Sequence, residues 1–285
     1  MSPIAFEKWQ ALGNDYLILE ERSLPFELTP ARIARICDIH TGVGSDGILL
    51  LSDADEPGFV ARLRIFNPDG SEAELSGNGA REAVLYLRRA GWTDQHRFSI
   101  QTAAGEIRPT ITGERTCTID MGRAKTASKD FPSGDAAGAG SLQAGGRRWR
   151  FQHVSVGNPQ CAIHHPDLDE LEALDLPAIG PAIERSELFP NRTNVSWFGE
   201  LQQGVIRARI FERGVGETMS SGTGASGAAV AYVLRGGDSP VTVRLDGGEL
   251  VVEVAEDLHL NLTGWAVPVY RAQLADEFCT ELETT

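Results

Sequence analysis

Two serines open segments that repeat one another. Ser76 begins SGNGAREAVLYLRRAG and Ser221 begins SGTGASGAAVAYVLRG. The two align without a gap, with Gly recurring at offsets one, three and fifteen and Ala at four and seven. A Gly-rich turn at the start of a helix leaves backbone N–H groups pointing outward, where the helix dipole adds to their attraction for an anion. Two such turns meeting at one carboxylate would place a serine on each side of the adjacent carbon. That geometry suits inversion of an amino-acid stereocentre. One group removes the α-proton, another supplies a proton to the opposite face, and the amides stabilise charge developing on the carboxylate. No bound cofactor is required. A single turn of this kind would more simply be tight packing of helix against sheet; the ungapped duplication favours chemistry. A phosphate loop is a poor match, because neither segment ends in GK[ST] and the first turn is followed by Arg81.

Elements that could position these turns are legible around them. Ala80, Ala83, Val84 and Leu87 follow the i, i+3, i+4, i+7 spacing of a helix, as do Ala225, Ala228, Ala229 and Tyr232. Their small side chains imply close approach to a neighbour, and Gly91 and Gly236 stand where each helix would stop. Short strands are expected over 61–66, 241–244, 250–254 and 258–262, separated by turns such as Asn67-Pro68-Asp69-Gly70. The Gly-, Ala- and Ser-rich stretch 125–146 reads as a long surface loop. The sum is an α+β architecture with strands predominating.

Composition narrows the function classes. The chain of 285 residues has room for two domains, with 41% hydrophobic and 23% charged residues. A formal charge of −14 argues against broad binding to nucleic acid or anionic membrane. No run is long and apolar enough for a membrane span, and positions 1–20 show no apolar run with basic flanks. Cys37, Cys117, Cys161 and Cys279 form no CxxC, so they read as reduced packing residues. His164 and His165 adjoin, but there is no HExxH and no support for a metal.

Together the motifs resemble the diaminopimelate epimerase family over nearly the whole chain. They are QALGNDYLILE (10–20), HTGVGSDGILLL (40–51), FNPDGSEAELSGNGAR (66–81), VSVGNPQC (154–161), TNVSW (193–197) and FERGVGETMSSGTGASGAA (211–229). The resemblance implies two pseudo-symmetric α/β domains, each a strand-rich sheet wrapped around a central helix, spanning 1–117 plus 266–285 and 118–265. A last strand near 266–270 would return to the first domain. It implies a cofactor-independent epimerase interconverting LL- and meso-diaminopimelate for lysine and peptidoglycan synthesis, with its site between the domains. Asn14 matches a substrate-contact position. Asn67, Asn158, Asn194, Glu212 and Arg213 match positions that hold the distal amino and carboxylate groups. Gly77, Asn78, Gly222 and Thr223 match those that hold the reacting carboxylate. The protein would be cytoplasmic, need no cofactor or metal, and bind a small amino acid rather than nucleic acid or membrane; a homodimer is compatible.

The family's two catalytic cysteines fall at Ser76 and Ser221, and the histidine of its GNPH motif at Gln160. A thiol, with an ordinary pKa of about 8.5, ionises far more readily than a hydroxyl. An engineered exchange and natural divergence both remain open; Gln160 favours divergence, since disabling two thiols would not require it. Three outcomes follow. The serines could act as a slow acid/base pair, with Glu72 or Glu217 as a nearby base or His153 compensating for Gln160. The chain could be a carboxylate-base isomerase, as in the phenazine-biosynthesis relatives of the fold. Or it could be a paralogue that binds an amino acid without turning it over.

Overall fold

The computed structural model describes residues 4–74 and 76–285. Met1–Pro3, part of the N-terminal reading, and Leu75, inside the 66–81 motif, lie outside the described residues. In chain order the elements are β1 (Ala5–Ala11), β2 (Asn14–Glu20), α1 (Pro30–Cys37), β3 (Ile48–Ser52), β4 (Ala61–Phe66), β5 (Glu72–Ala73), α2 (Gly77–Arg89), β6 (Ile100–Thr102), β7 (Gly105–Ile107), β8 (Pro109–Ile111) and β9 (Thr116–Arg123). They continue with β10 (Ala139–Ala144), β11 (Arg147–Ser155), β12 (Pro159–His164), α3 (Leu168–Glu172), α4 (Leu176–Glu184), β13 (Asn194–Gln202), β14 (Val205–Glu212), β15 (Gly216–Thr218) and α5 (Gly222–Leu234). The last are β16 (Val241–Leu245), β17 (Gly248–Val254), β18 (His259–Trp265), β19 (Val267–Gln273) and α6 (Asp276–Thr284). The chain divides into two compact units, Met1–Ile119 with Gly264–Thr285, and Asp120–Thr263.

In the first unit the sheet runs β19-β1-β2-β3-β4-β6-β7, with β5 on β4. β1 and β2 form an antiparallel hairpin, β2 pairs parallel with β3, β3 antiparallel with β4, and β4 parallel with β6. One face carries α2. The other is sealed by α1 and α6, whose Ile33, Ile36, Cys279 and Leu282 join Leu17, Leu19, Ile48 and Leu50 in one apolar cluster. In the second unit β10-β11-β12-β13-β14-β16-β17-β18 lie side by side, with β15 on β14. Its pairings repeat the alternation: β11–β12 antiparallel, β12–β13 parallel, β13–β14 antiparallel, β14–β16 parallel. α5 packs against β11 through β14, β16 and β17. The other face holds an aromatic-rich cluster with Trp149, Phe151, Phe189 and Trp197.

The two central helices are thus wrapped. Sequence periodicity alone predicts an apolar stripe, yet α2 buries every position from Asn78 to Leu87. Glycine makes this possible. A Cβ on Gly79 would stand 2.9 Å from Leu49 Cδ2 of β3, and one on its repeat counterpart Gly224 would stand 2.7 Å from Ile210 Cδ1 of β14. Both helices stop at Arg89 and Leu234, with Gly91 and Gly236 in the left-handed region at φ +78° and +96°.

The stretch 125–146 is not a loop throughout, as its composition suggests. Its last third is the strand β10, paired with β11 from Ala139↔Gln152 to Ala144↔Arg147. Small residues are needed there: a Cβ on Gly140 would meet the Phe151 ring at 2.3 Å. Upstream, Phe131 is buried in the aromatic cluster. All four cysteines are buried and free. Among the described residues no helix is long and apolar enough to cross a membrane.

Wrapping α2 also buries charge. Arg81 and Glu82 are both fully buried. Burial holds the Glu82 carboxyl well above the ordinary carboxylate range; nearby Asp15 and Asp46 push the same way, and Arg81 opposes them. The fold therefore favours neutral Glu82. Its contribution is complete below the unfolded-state pKa, about 4.3, and is lost as pH rises through the higher folded value. Glu82→Gln is expected to melt with the parent at acid pH and above it at alkaline pH. A melting-temperature difference independent of pH would contradict this.

Candidate active site

Each Gly-rich turn is built by a serine in extended conformation, with φ/ψ of −126°/121° at Ser76 and −148°/124° at Ser221. Each caps its helix. Ser76 Oγ accepts from Gly79 N at 3.1 Å, and Ser221 Oγ accepts from Gly224 N at 3.2 Å. Capping and chemistry are not exclusive, because the hydroxyl proton stays free to bond elsewhere.

In the first unit the Tyr16 hydroxyl donates to Ser76 Oγ (3.3 Å). Asn78 Nδ2 donates to Asn14 Oδ1 (3.2 Å), and Asn14 Nδ2 donates to Asp46 Oδ2 (2.9 Å). The buried Arg81 bonds Asn78 Oδ1 and, at 3.0 Å, Gly77 O. Asn14, Gly77 and Asn78 are therefore held in one network. Asn67 bonds within its own turn: its Nδ2 donates to Ser71 Oγ (2.9 Å) and its carbonyl accepts from Gly70 N (3.0 Å).

The second unit gathers a different set. Ser221 Oγ donates to Glu212 Oε2 (2.9 Å), and Thr218 Oγ1 donates to Glu212 Oε1 (2.9 Å). Burial raises the Glu212 carboxyl above its ordinary pKa, against the pull of these two hydroxyl donors. Gln160 Nε2 donates to Asn158 Oδ1 (2.7 Å), whose Nδ2 donates to Thr223 Oγ1 (3.2 Å) at the helix start. Asn194 Nδ2 donates to Pro159 O (3.1 Å) and its Oδ1 accepts from Arg213 N (2.9 Å). The Arg213 side chain is exposed and donates to Asn191 O (3.0 Å). Gly214 N donates to the buried Glu184 carboxylate (2.9 Å), which fixes this turn.

Three sequence-based base candidates are otherwise engaged. Glu72 pairs with Arg64 (2.8 Å) and Glu217 with Arg209 (2.5 Å); these are counterparts in the repeat, so one ion pair is built twice. His153 stands opposite Cys161 in the sheet, whereas Gln160 stands opposite Val154. Alternate residues face opposite sides, so His153 lies on the aromatic face near Phe131 and Phe189, with Nε2 2.9 Å from Ser128 Oγ. Gln160 faces α5, packed beside Gly227. Sequence reasoning missed Tyr16, Asp46 and Arg81 as site-building residues, and gave Glu212 a distal-group role although its carboxylate is bonded to Ser221. Arg81 had a signal, a cation inside a small-residue helix; Tyr16 had none. Among the described residues no cluster of three or more His, Cys, Asp or Glu side chains could hold a metal ion.

Known proteins resemble this chain both in sequence and in fold. The family model described as Diaminopimelate epimerase matches residues 6–127 and 152–269. The chain belongs to the diaminopimelate epimerase family. The diaminopimelate epimerase of Synechococcus elongatus is 38% identical over 279 residues, covering 95% of this chain and 98% of the relative. The fold is shared more widely. A probable proline racemase from Agrobacterium radiobacter, solved with bound carbonate, superposes with a TM-score of 0.69 at 15% identity, covering 96% of this chain and 93% of its own. A Bacillus anthracis phenazine biosynthesis protein of the PhzF family gives 0.68 at 17%, covering 96% and 100%. Diaminopimelate epimerase family members are isomerases, and this chain carries their two-domain α/β framework.

Ser76→Ala and Ser221→Ala are each expected to lower stability by about 1 kcal/mol through loss of a helix cap, as a reduced urea midpoint at unchanged m-value. A cap-neutral result at either position would mean that the N–H is satisfied by another group.

Proposed function

We propose that the protein is a cofactor-independent epimerase acting on diaminopimelate, interconverting the LL and meso forms, with Ser76 and Ser221 serving one substrate. The observation that carries this is the Ser221–Glu212 hydrogen bond at the start of α5, with a second hydroxyl, Ser76, at the matching place on α2. A serine alone is a poor base, and a bonded carboxylate supplies what it lacks.

In this reading Ser221 Oγ takes the α-proton while its own proton passes to Glu212. The electron pair released from the C–H bond spreads into the substrate carboxylate, stabilised by the first-turn amides of Gly77, Asn78, Gly222 and Thr223. Ser76 delivers a proton to the opposite face, where the electron pair returns to the α-carbon, and receives one from Tyr16; Tyr16 regains a proton from solvent as Glu212 releases one to it. The reverse reaction exchanges the roles. Asn14, Asn67, Asn158, Asn194 and Arg213 are assigned to the substrate's polar groups, Arg213 through its guanidinium fork. The diaminopimelate epimerase activity for which the Synechococcus elongatus relative is named supports this substrate. The serines in place of the family's cysteines imply slower turnover, and diaminopimelate as substrate would make this a step of lysine and cell-wall precursor synthesis.

A second reading is favoured by Glu212 itself. A half-buried carboxyl of raised pKa is a competent base without a relay, so a carboxylate-base isomerase would need Glu212 and not Ser221.

Incubation with LL-diaminopimelate in heavy water separates these. Deuterium at the α-position together with meso product supports the epimerase; binding without exchange identifies a paralogue that has lost the chemistry. Ser221→Ala should reduce exchange at least tenfold in the first reading and leave it intact in the second, whereas Glu212→Gln should abolish it in both. Ser76→Cys with Ser221→Cys should raise epimerase turnover, since a thiol ionises more readily; no gain would show that the pocket differs beyond those two atoms.

A further inference from the structure

The first unit contains a cleft of about 1,100 Å³ that the proposed reaction does not use. Every residue lining it belongs to that unit. Trp9, Leu85, Val267 and Pro268 supply apolar walls, and Arg88, Arg89, His96 and Arg115 supply basic groups against the single acid Glu114. Three arginines lining one cleft stand out in a chain of net charge −14. Several arginines elsewhere find carboxylates: Arg35 pairs with Glu281, Arg64 with Glu72 and Arg207 with Glu172. Among the described residues Arg88, Arg89 and Arg115 are in no such ion pair. Arg88 donates one bond to Thr93 O at 3.3 Å, and the Arg89 guanidinium lies 5.8 Å from the Trp9 ring centroid.

We propose that this cleft is a binding site for a small organic polyanion, a phosphorylated or polycarboxylated compound with an apolar body. Guanidinium groups bind carboxylate and phosphate oxygens through paired N–H donors. A cleft of this volume lies at the upper end of small-molecule sites. Arg89 is exposed and its cation–π contact holds the guanidinium over the apolar wall. Arg115 stands on the segment leading from β8 into β9, and its carbonyl accepts from Ala266 N at 3.0 Å, beside the start of β19. A bound anion would draw together Arg115 and the last turn of α2, the helix whose first turn carries Ser76.

The test uses the full-length chain, titrated by calorimetry in low salt with pyrophosphate, citrate and ATP as probes. At least one probe is expected to bind with a dissociation constant below about 1 mM, more weakly as salt is raised. Arg89→Gln with Arg115→Gln should weaken that binding at least tenfold, whereas Arg150→Gln, an exposed arginine of β11, should not change it. Preference for ATP assigns a role to the apolar wall, and equal binding of pyrophosphate or citrate assigns the site to charge. Failure of all three probes to bind, or undiminished binding by the paired variant, overturns the proposal. Neither result depends on whether the chain epimerises diaminopimelate.

Discussion

A helix surrounded by sheet on most sides must satisfy its first-turn amides without help from bulk water, and that constraint organises both halves of this protein. α2 and α5 each begin at a serine whose hydroxyl takes the third amide of the helix. The glycines that follow let the helix sit close to the strands, and they leave the remaining amides uncovered by side chains. An anion-seeking turn is thus a by-product of burying the helix. The same hydroxyl that ends the amide deficit is left with a proton to give, to Glu212 in one half.

The duplication preserves this scaffold and varies what surrounds it. Asn67 and Glu212 are counterparts, as are Arg81 and Ser226, and Glu82 and Gly227. The first half orients its turn with a buried guanidinium reaching Gly77 O. The second uses Ser226 Oγ, which donates to Gly222 O at 2.9 Å. Where Glu82 fills space against its own sheet, Gly227 leaves room for Gln160. Similar backbones therefore present unlike chemical groups, which a reaction with distinct proton-removing and proton-donating sides can use.

The sequence made the scaffold readable because its demands fall on local, repeated residue types. Glycine at fixed offsets, a capping serine and an apolar period of 3.6 are visible without coordinates, and the two central helices fall where these signals stand. Partners brought together by tertiary pairing left no such trace. Nothing near Tyr16 marks its hydroxyl as a neighbour of Ser76, sixty residues on. Glu72 and Glu217 stand close to the serines in sequence, yet a strand's alternation turns them toward Arg64 and Arg209. Composition misread β10 for a related reason: glycine and alanine at 139–144 signal a loop, whereas here they make room for the Phe151 ring on the neighbouring strand.

The strand order carries a consequence for how the molecule comes into being. β19 occupies in one sheet the place that β10 occupies in the other, flanking β1 as β10 flanks β11. β10 is made just before its neighbour, but β19 is made some 260 residues after β1. During synthesis the stretch 120–263 has all its own strands at hand and can close early. The earlier-made half waits with the hydrogen-bonding edge of β1 bare, and with Leu274, Cys279 and Leu282 missing from its apolar cluster. A bare edge of this kind invites pairing with a stranger, so the nascent chain is most vulnerable to aggregation after most of it has already emerged from the ribosome.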